Sequence, residues 1–224
     1  VERKRSTGFT WDVPAETSPT AQTGGFSMND IKTIKLVLTG RPGSLLVTHE
    51  FSEKAKKGIR DKQAKKAKTA KETRNPSAEY LKARYMDTKG RECAPITAVK
   101  KSFVTAATAM DNLTKVALRQ AIFIAPTDAP SAMLVPILTL AGKPAVGEMR
   151  EDAVTIGMGK RGLTYRPFYA EWQLRVTVEY NSRLISEEQL LSLAEQAGWG
   201  VGICEGRPEK TSALGWGRFS VAKA

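Results

Sequence analysis

The chain has one histidine, His49. An imidazole can work alone as a general acid or base, and Tyr80 or Tyr85 would be the nearby hydroxyls to assist it. A lone histidine is more often a surface or capping residue, so His49 is a catalytic candidate and no more. A Ser-His-Asp arrangement without it is impossible, and so is a multi-histidine metal centre. Cys93 and Cys204 are the only cysteines, too few for a disulfide scaffold or a structural zinc site. Cys204 sits in an apolar run and reads as a small buried side chain. Glu148, Glu151 and Asp152 lie beside Arg150, which reads as an ion-paired loop rather than a catalytic carboxylate pair. The expectation is therefore no metal and no cofactor.

The composition favours contact with a polyanion. Lys and Arg total 35 against 23 Asp and Glu, for a net charge of +12. A balance that basic marks nucleic acid or anionic lipid as the partner. The window 54–74, KAKKGIRDKQAKKAKTAKETR, holds ten cations and two acids, so +8 of the +12 falls in one stretch. Lys56, Lys57, Arg60, Lys62, Lys65, Lys66 and Lys68 are expected to meet phosphates and to make binding steeply salt-dependent. The stretch lacks the bulky apolar face of an interfacial helix, and no apolar run approaches the ~20 residues of a membrane span. Arg3, Lys4 and Arg5 precede no apolar core, unlike a secretory signal. The expected compartment is the cytoplasm, with no membrane partner.

Two glycine-rich segments could add phosphate contacts. In the first, Gly157, Gly159 and Gly162 surround Lys160 and Arg161. It matches neither a P-loop nor a GxGxxG fingerprint, and reads as a hairpin or loop displaying two cations. In the second, Gly198 to Gly202 and Gly215 to Gly217 flank Arg207 and Lys210, with Trp216 inside the latter block and Arg218 directly after it. Cations, an aromatic face and a closely approachable backbone suit an unpaired strand. Trp199 reads as core.

The elements that must position these groups follow from periodicity. Residues 1–27 have no apolar period and read as a flexible arm, able to dock on a neighbouring protein. Ile34, Leu36 and Leu38 alternate as a strand, the 40–43 turn follows, and Leu45 to Val47 complete a hairpin. The basic window projects as a loop or marginal helix, and 80–85 packs back. Val99, Phe103, Ala106 and Met110 share one helical face, from which Lys100 and Lys101 fall away. Residues 121–124 and 132–140 are apolar runs, the second placed on an edge by Pro136. Trp172 to Tyr180 alternate as a strand. Ser186 and Gln189 form a capping box, with Gly198 as the helix stop. Residues 200–204 and 216–222 read as two more strands. Split βαβ units of this order imply an α+β, ferredoxin-like body over 28–224, open to duplication, with a basic insertion at about 50–92.

Two resemblances sharpen this reading. The stretch ending in Gly215-Trp216-Gly217-Arg218-Phe219, after a capped helix, resembles the glycine-rich loop of the RAMP superfamily, the ferredoxin-like RNA-binding proteins of CRISPR systems. It implies RNA binding, and some RAMP-like endoribonucleases use a single histidine, which gives His49 its alternative role. Over about residues 95–222, Arg150-Glu151-Asp152, Gly157-Met158-Gly159, Tyr165-Arg166, Trp172, Asn181, Ile185-Ser186 and Glu205 to Lys210 resemble a family of tailed-bacteriophage proteins without a settled activity. That family typically has Gly-Glu-Trp-Arg where this chain has Ile203 to Arg207, and the long basic segment is a further departure. The combined expectation is a phage-encoded, non-enzymatic protein that binds RNA or single-stranded DNA. A metal-independent endoribonuclease and a virion structural protein are the alternatives.

Overall fold

The computed structural model describes residues 30–51, 57, 59–61, 63–64, 74–111, 113–128, 133–156, 160–210 and 214–224. The expected 1–27 arm and Lys56, Lys62, Lys65, Lys66 and Lys68 lie outside them.

Among the described residues the bounded strands and helices follow in chain order: β1 (Ile31–Gly40), β2 (Leu46–Val47), α1 (Pro76–Ala83), β3 (Tyr85–Met86), β4 (Glu92–Pro95), α2 (Ile96–Ala106), α3 (Lys115–Ala121), β5 (Ile122–Pro126), β6 (Leu134–Pro136), β7 (Glu148–Ile156), β8 (Lys160–Tyr169), β9 (Gln173–Asn181), α4 (Glu187–Gln196) and β10 (Phe219–Lys223). The fold is α+β with antiparallel sheets.

The principal sheet has the order β10-β1-β9-β5, and every neighbouring pair is antiparallel. α2 lies between β1 and β5 in the chain, and α4 between β9 and β10. Alternation decides which face each strand buries. Ile34, Leu36 and Leu38 of β1 and Leu174, Val176 and Val178 of β9 join one core with Val99 and Phe103 of α2 and Leu190, Leu193 and Ala194 of α4. Each of these side chains larger than alanine is worth about 1.5–3 kcal/mol when buried. Met110 packs against the same core, completing the face read from the sequence. The capping box of α4 forms, with Ser186 and Gln189 each bonding the other's backbone N–H.

Two chain insertions fold together beside this sheet. The first lies between β1 and α2, the second between β5 and β9. They meet in the three-stranded sheets β2-β8-β7 and β3-β4-β6. β2 therefore pairs with β8, and the β1–β2 hairpin expected from the turn at 40–43 does not form. The reason is that β1 is already bonded on both edges, by β9 and β10. β7 and β8 form a nine-pair hairpin, and β6 lies on an edge. α1 donates the Tyr80 hydroxyl to the Gly147 carbonyl at 2.5 Å, so the 80–85 segment does pack back. No second four-stranded sheet with two helices occurs among the described residues, so the duplication open in the sequence is not seen there.

Glu92 ties the insertions together. It is 5% exposed, and its carboxylate accepts from Arg84 at 3.0 Å, from the Gly147 N–H at 2.7 Å and from the Tyr169 hydroxyl at 2.7 Å. Burial, then the carboxylate itself, pushes the Tyr169 phenol far above its ordinary value.

Among the described residues no helix is long and apolar enough to cross a membrane.

Candidate nucleic-acid interface

The end of α4 determines the site. Gly198 does not stop the helix. The chain continues into a π-helical turn, Ala197–Val201, capped by Gly202. Such turns are often found at functional sites. Residues 200–204, read as a strand, instead form this turn and the bend after it. The apolar run misleads because Val201 and Ile203 are buried without entering a sheet.

The loop that follows is tied to the strands below it. Glu205 N–H donates to the Val47 carbonyl at 3.0 Å, Gly217 N–H to Leu45 at 2.8 Å and Ile203 N–H to Gly217 at 2.9 Å. Two glycines are obligatory. Both have positive φ; a Cβ at Gly217 would collide with the Ile203 carbonyl, and one at Gly206 with the Trp216 ring. Arg166, nearly buried, bonds Asp152 at 2.7 Å and reaches Glu205 at 3.6 Å, anchoring the β7–β8 hairpin to the loop.

Between this loop, the first turns of α2 and the segment after β2 lies a cleft of about 530 Å³. Its cations are Lys101, Arg207 and Lys210, its acids Glu205 and Glu209, and His49, Phe51 and Tyr85 supply its rings. His49 and Phe51 stack with centroids 3.8 Å apart at 34°, and Phe51 is 50% exposed. The Tyr85 hydroxyl donates to the His49 carbonyl at 3.0 Å. Burial, followed by the nearby Glu50 charge, pushes that phenol up to about 12. Tyr85 therefore stays protonated and holds the His49 segment in place. Arg207 is oriented by Glu209 at 3.0 Å and by the Cys204 carbonyl at 2.8 Å. Cys204 lines the cleft, with its thiol pushed up to about 12 by burial, so it is no nucleophile near neutrality. A wall of mixed charge, oriented guanidinium and stacked rings can hold a phosphate and the ring attached to it.

No protein-family model matches the chain, and no curated protein matches it. Among solved structures it is similar to Cmr6 from Pyrococcus furiosus, at 10% sequence identity and a TM-score of 0.37, over 87% of this chain and 99% of that one. A likeness of that size carries no functional argument. The resemblance to a tailed-bacteriophage family has no counterpart in these comparisons.

The structure brings together only part of the sequence-derived set. His49, Arg207 and Lys210 share the cleft. Lys57 and Arg60 are exposed on helical residues in the segment that follows Phe51. Lys160 and Arg161 open β8, and their side chains lie outside the described set. The two tryptophans exchange roles. Trp216 is 8% exposed, packed on Gly206 and covered by the Arg150 guanidinium at 4.8 Å, so it offers no free face for stacking. Trp199, read as core, is 58% exposed. Arg218 stands over the Trp199 ring rather than in the cleft wall. Tyr80 is bonded to Gly147 and is not a wall of the cleft.

Lys101, Phe51 and Arg41 escaped the sequence reading. Lys101 left a signal: it falls off the apolar face of an amphipathic helix, near the end that meets the cleft. Phe51 and Arg41 acquire their roles only through contacts distant in sequence.

Proposed function

We propose that the chain is a nucleic-acid-binding protein that holds an unpaired strand, RNA or single-stranded DNA, in this cleft without cutting it. The observation that carries the reading is the convergence of Lys101, Arg207 and Lys210 on one concavity with the His49–Phe51 ring pair, whose Phe51 ring is exposed. Cations for phosphates and rings for bases are what sequence-tolerant single-strand binding needs. A duplex is read by an element entering a groove about 12 Å wide. A cleft of this volume falls in the range of small-ligand cavities and suits an extruded nucleotide. The basic segment at 54–74 would add phosphate contacts beyond the cleft.

The fold reading belongs to the same proposal. The order β10-β1-β9-β5, with α2 among the elements between β1 and β5 and α4 between β9 and β10, supports a ferredoxin-like core. The glycine-rich loop between α4 and β10 supports the RAMP-like variant. A phage source, implied by residues 95–222, would place the encounter in the host cytoplasm.

The test is fluorescence anisotropy with labelled single-stranded RNA, single-stranded DNA and duplex of equal length, across a salt series. Tighter binding to a single strand, weakening steeply with salt, is expected. Equal or tighter binding to duplex would refute the single-strand reading. His49, inside the same cleft, gives an endoribonuclease reading its footing. It requires cleavage of a structured RNA that is lost in His49→Ala while binding persists.

A further inference from the structure

The π-helical turn presents a second surface. Val201 lines the cleft, whereas Trp199, two residues earlier, is not one of its walls. Trp172 is fully buried and Trp216 nearly so, yet Trp199 keeps 58% of its surface. Two guanidinium groups approach its ring, Arg218 at 4.2 Å and Arg41 at 5.2 Å from the centroid. Arg41 is fixed through its side chain and Arg218 through its backbone. Arg41 donates from Nε to the Phe219 carbonyl at 3.0 Å and from Nη2 to Glu195 at 3.0 Å. Its backbone N–H donates to the Arg218 carbonyl at 3.0 Å, and the Arg218 N–H donates to the Ser44 hydroxyl at 2.7 Å.

An exposed indole held beside two positioned cations selects its ligand by chemistry. A cationic ligand is repelled by the guanidinium groups. A purely apolar side chain would have to strip water from them without return. A flat ring joined to an anion satisfies both parts: it stacks on the indole or a guanidinium plane while its phosphate accepts guanidinium hydrogens. We propose that Trp199, with Arg41 and Arg218, is a stacking site for an unpaired nucleobase, separate from the cleft. This rests on the nucleic-acid-binding reading and adds to it a base contact with its own energetics.

The experiment uses the full chain and three probes: oligouridylate and oligodeoxythymidylate of about twelve nucleotides, and inorganic polyphosphate of matched charge. Trp199→Ala should weaken an oligonucleotide by about tenfold, within the range of one lost base stack. The salt slope should not change, because no charge is removed. Trp199→Phe should restore most of the affinity, and polyphosphate binding should be the same for all three proteins. Loss with either oligonucleotide supports the site. Wild-type binding that Trp199→Ala leaves within about twofold for both would overturn the stacking site while sparing the broader reading. An equal loss for polyphosphate would also overturn it, since Trp199 would then merely position the arginines. No binding of either oligonucleotide by the wild type would overturn both. Thermal unfolding of each variant checks that the exposed position leaves the fold intact.

Discussion

Lys101 and Lys210 are the exposed cations of the cleft, and each would release counterions on meeting a phosphate. Replacing both with Gln should weaken single-strand binding and lower the slope of log affinity against log salt by roughly 0.7 per lysine. An unchanged slope in a salt titration would remove them from the interface. Glu92 has a different duty. Glu92→Ala would leave a half-buried guanidinium, a buried phenol and a backbone N–H without this acceptor, at a cost of about 2–5 kcal/mol readable by urea unfolding. A loss below about 1 kcal/mol would mean that the carboxylate does not hold the insertions together. What the sequence conveyed at this scale was residue type rather than exposure. Arg207 and Lys210 were legible as cations beside glycines. The exchange between Trp199 and Trp216 was not, because a π-helical turn and a positive-φ glycine decide which indole faces water.

At the level of elements, local patterns were readable and distant pairings were not. The alternation of β1 and β9, the apolar face of α2 and the capping box of α4 are all encoded within about ten residues. The pairing of β2 with β8 and of β4 with β6 joins segments far apart in the chain. A turn signal at 40–43 cannot reveal that both edges of β1 are already taken. The loop after α4 depends on Gly217 most of all. Gly217→Ala forces a Cβ into the Ile203 carbonyl at φ 66°, and should cost at least the 1–3 kcal/mol typical of such backbone strain. A melting temperature equal to wild type would show that the loop relaxes freely. The segment 54–74 tests separately: its deletion should flatten the salt slope further while leaving the core folded.

For the whole molecule, charge and buried acids set the response to solution conditions. Burial pushes Cys93 up to about 11, and Cys204 and Tyr85 up to about 12. In the unfolded chain these thiols and this phenol ionise at their ordinary values, near 9 and 10. Between about pH 9 and 12 the unfolded state therefore binds fewer protons than the folded one. Stability is fully present below that window and falls as pH rises through it. Melting temperatures that decline from pH 9 to 11 are expected; a flat or rising profile would contradict the burial of these groups.

The central claim concerns where the strand lies, and photo-crosslinking locates it most directly. With 4-thiouridine-containing oligonucleotide irradiated on the full chain, mass spectrometry should find crosslinked peptides covering 45–51, 97–105 and 201–210, the three walls of the cleft. Crosslinks confined to other surfaces, with these three segments unmodified, would contradict it.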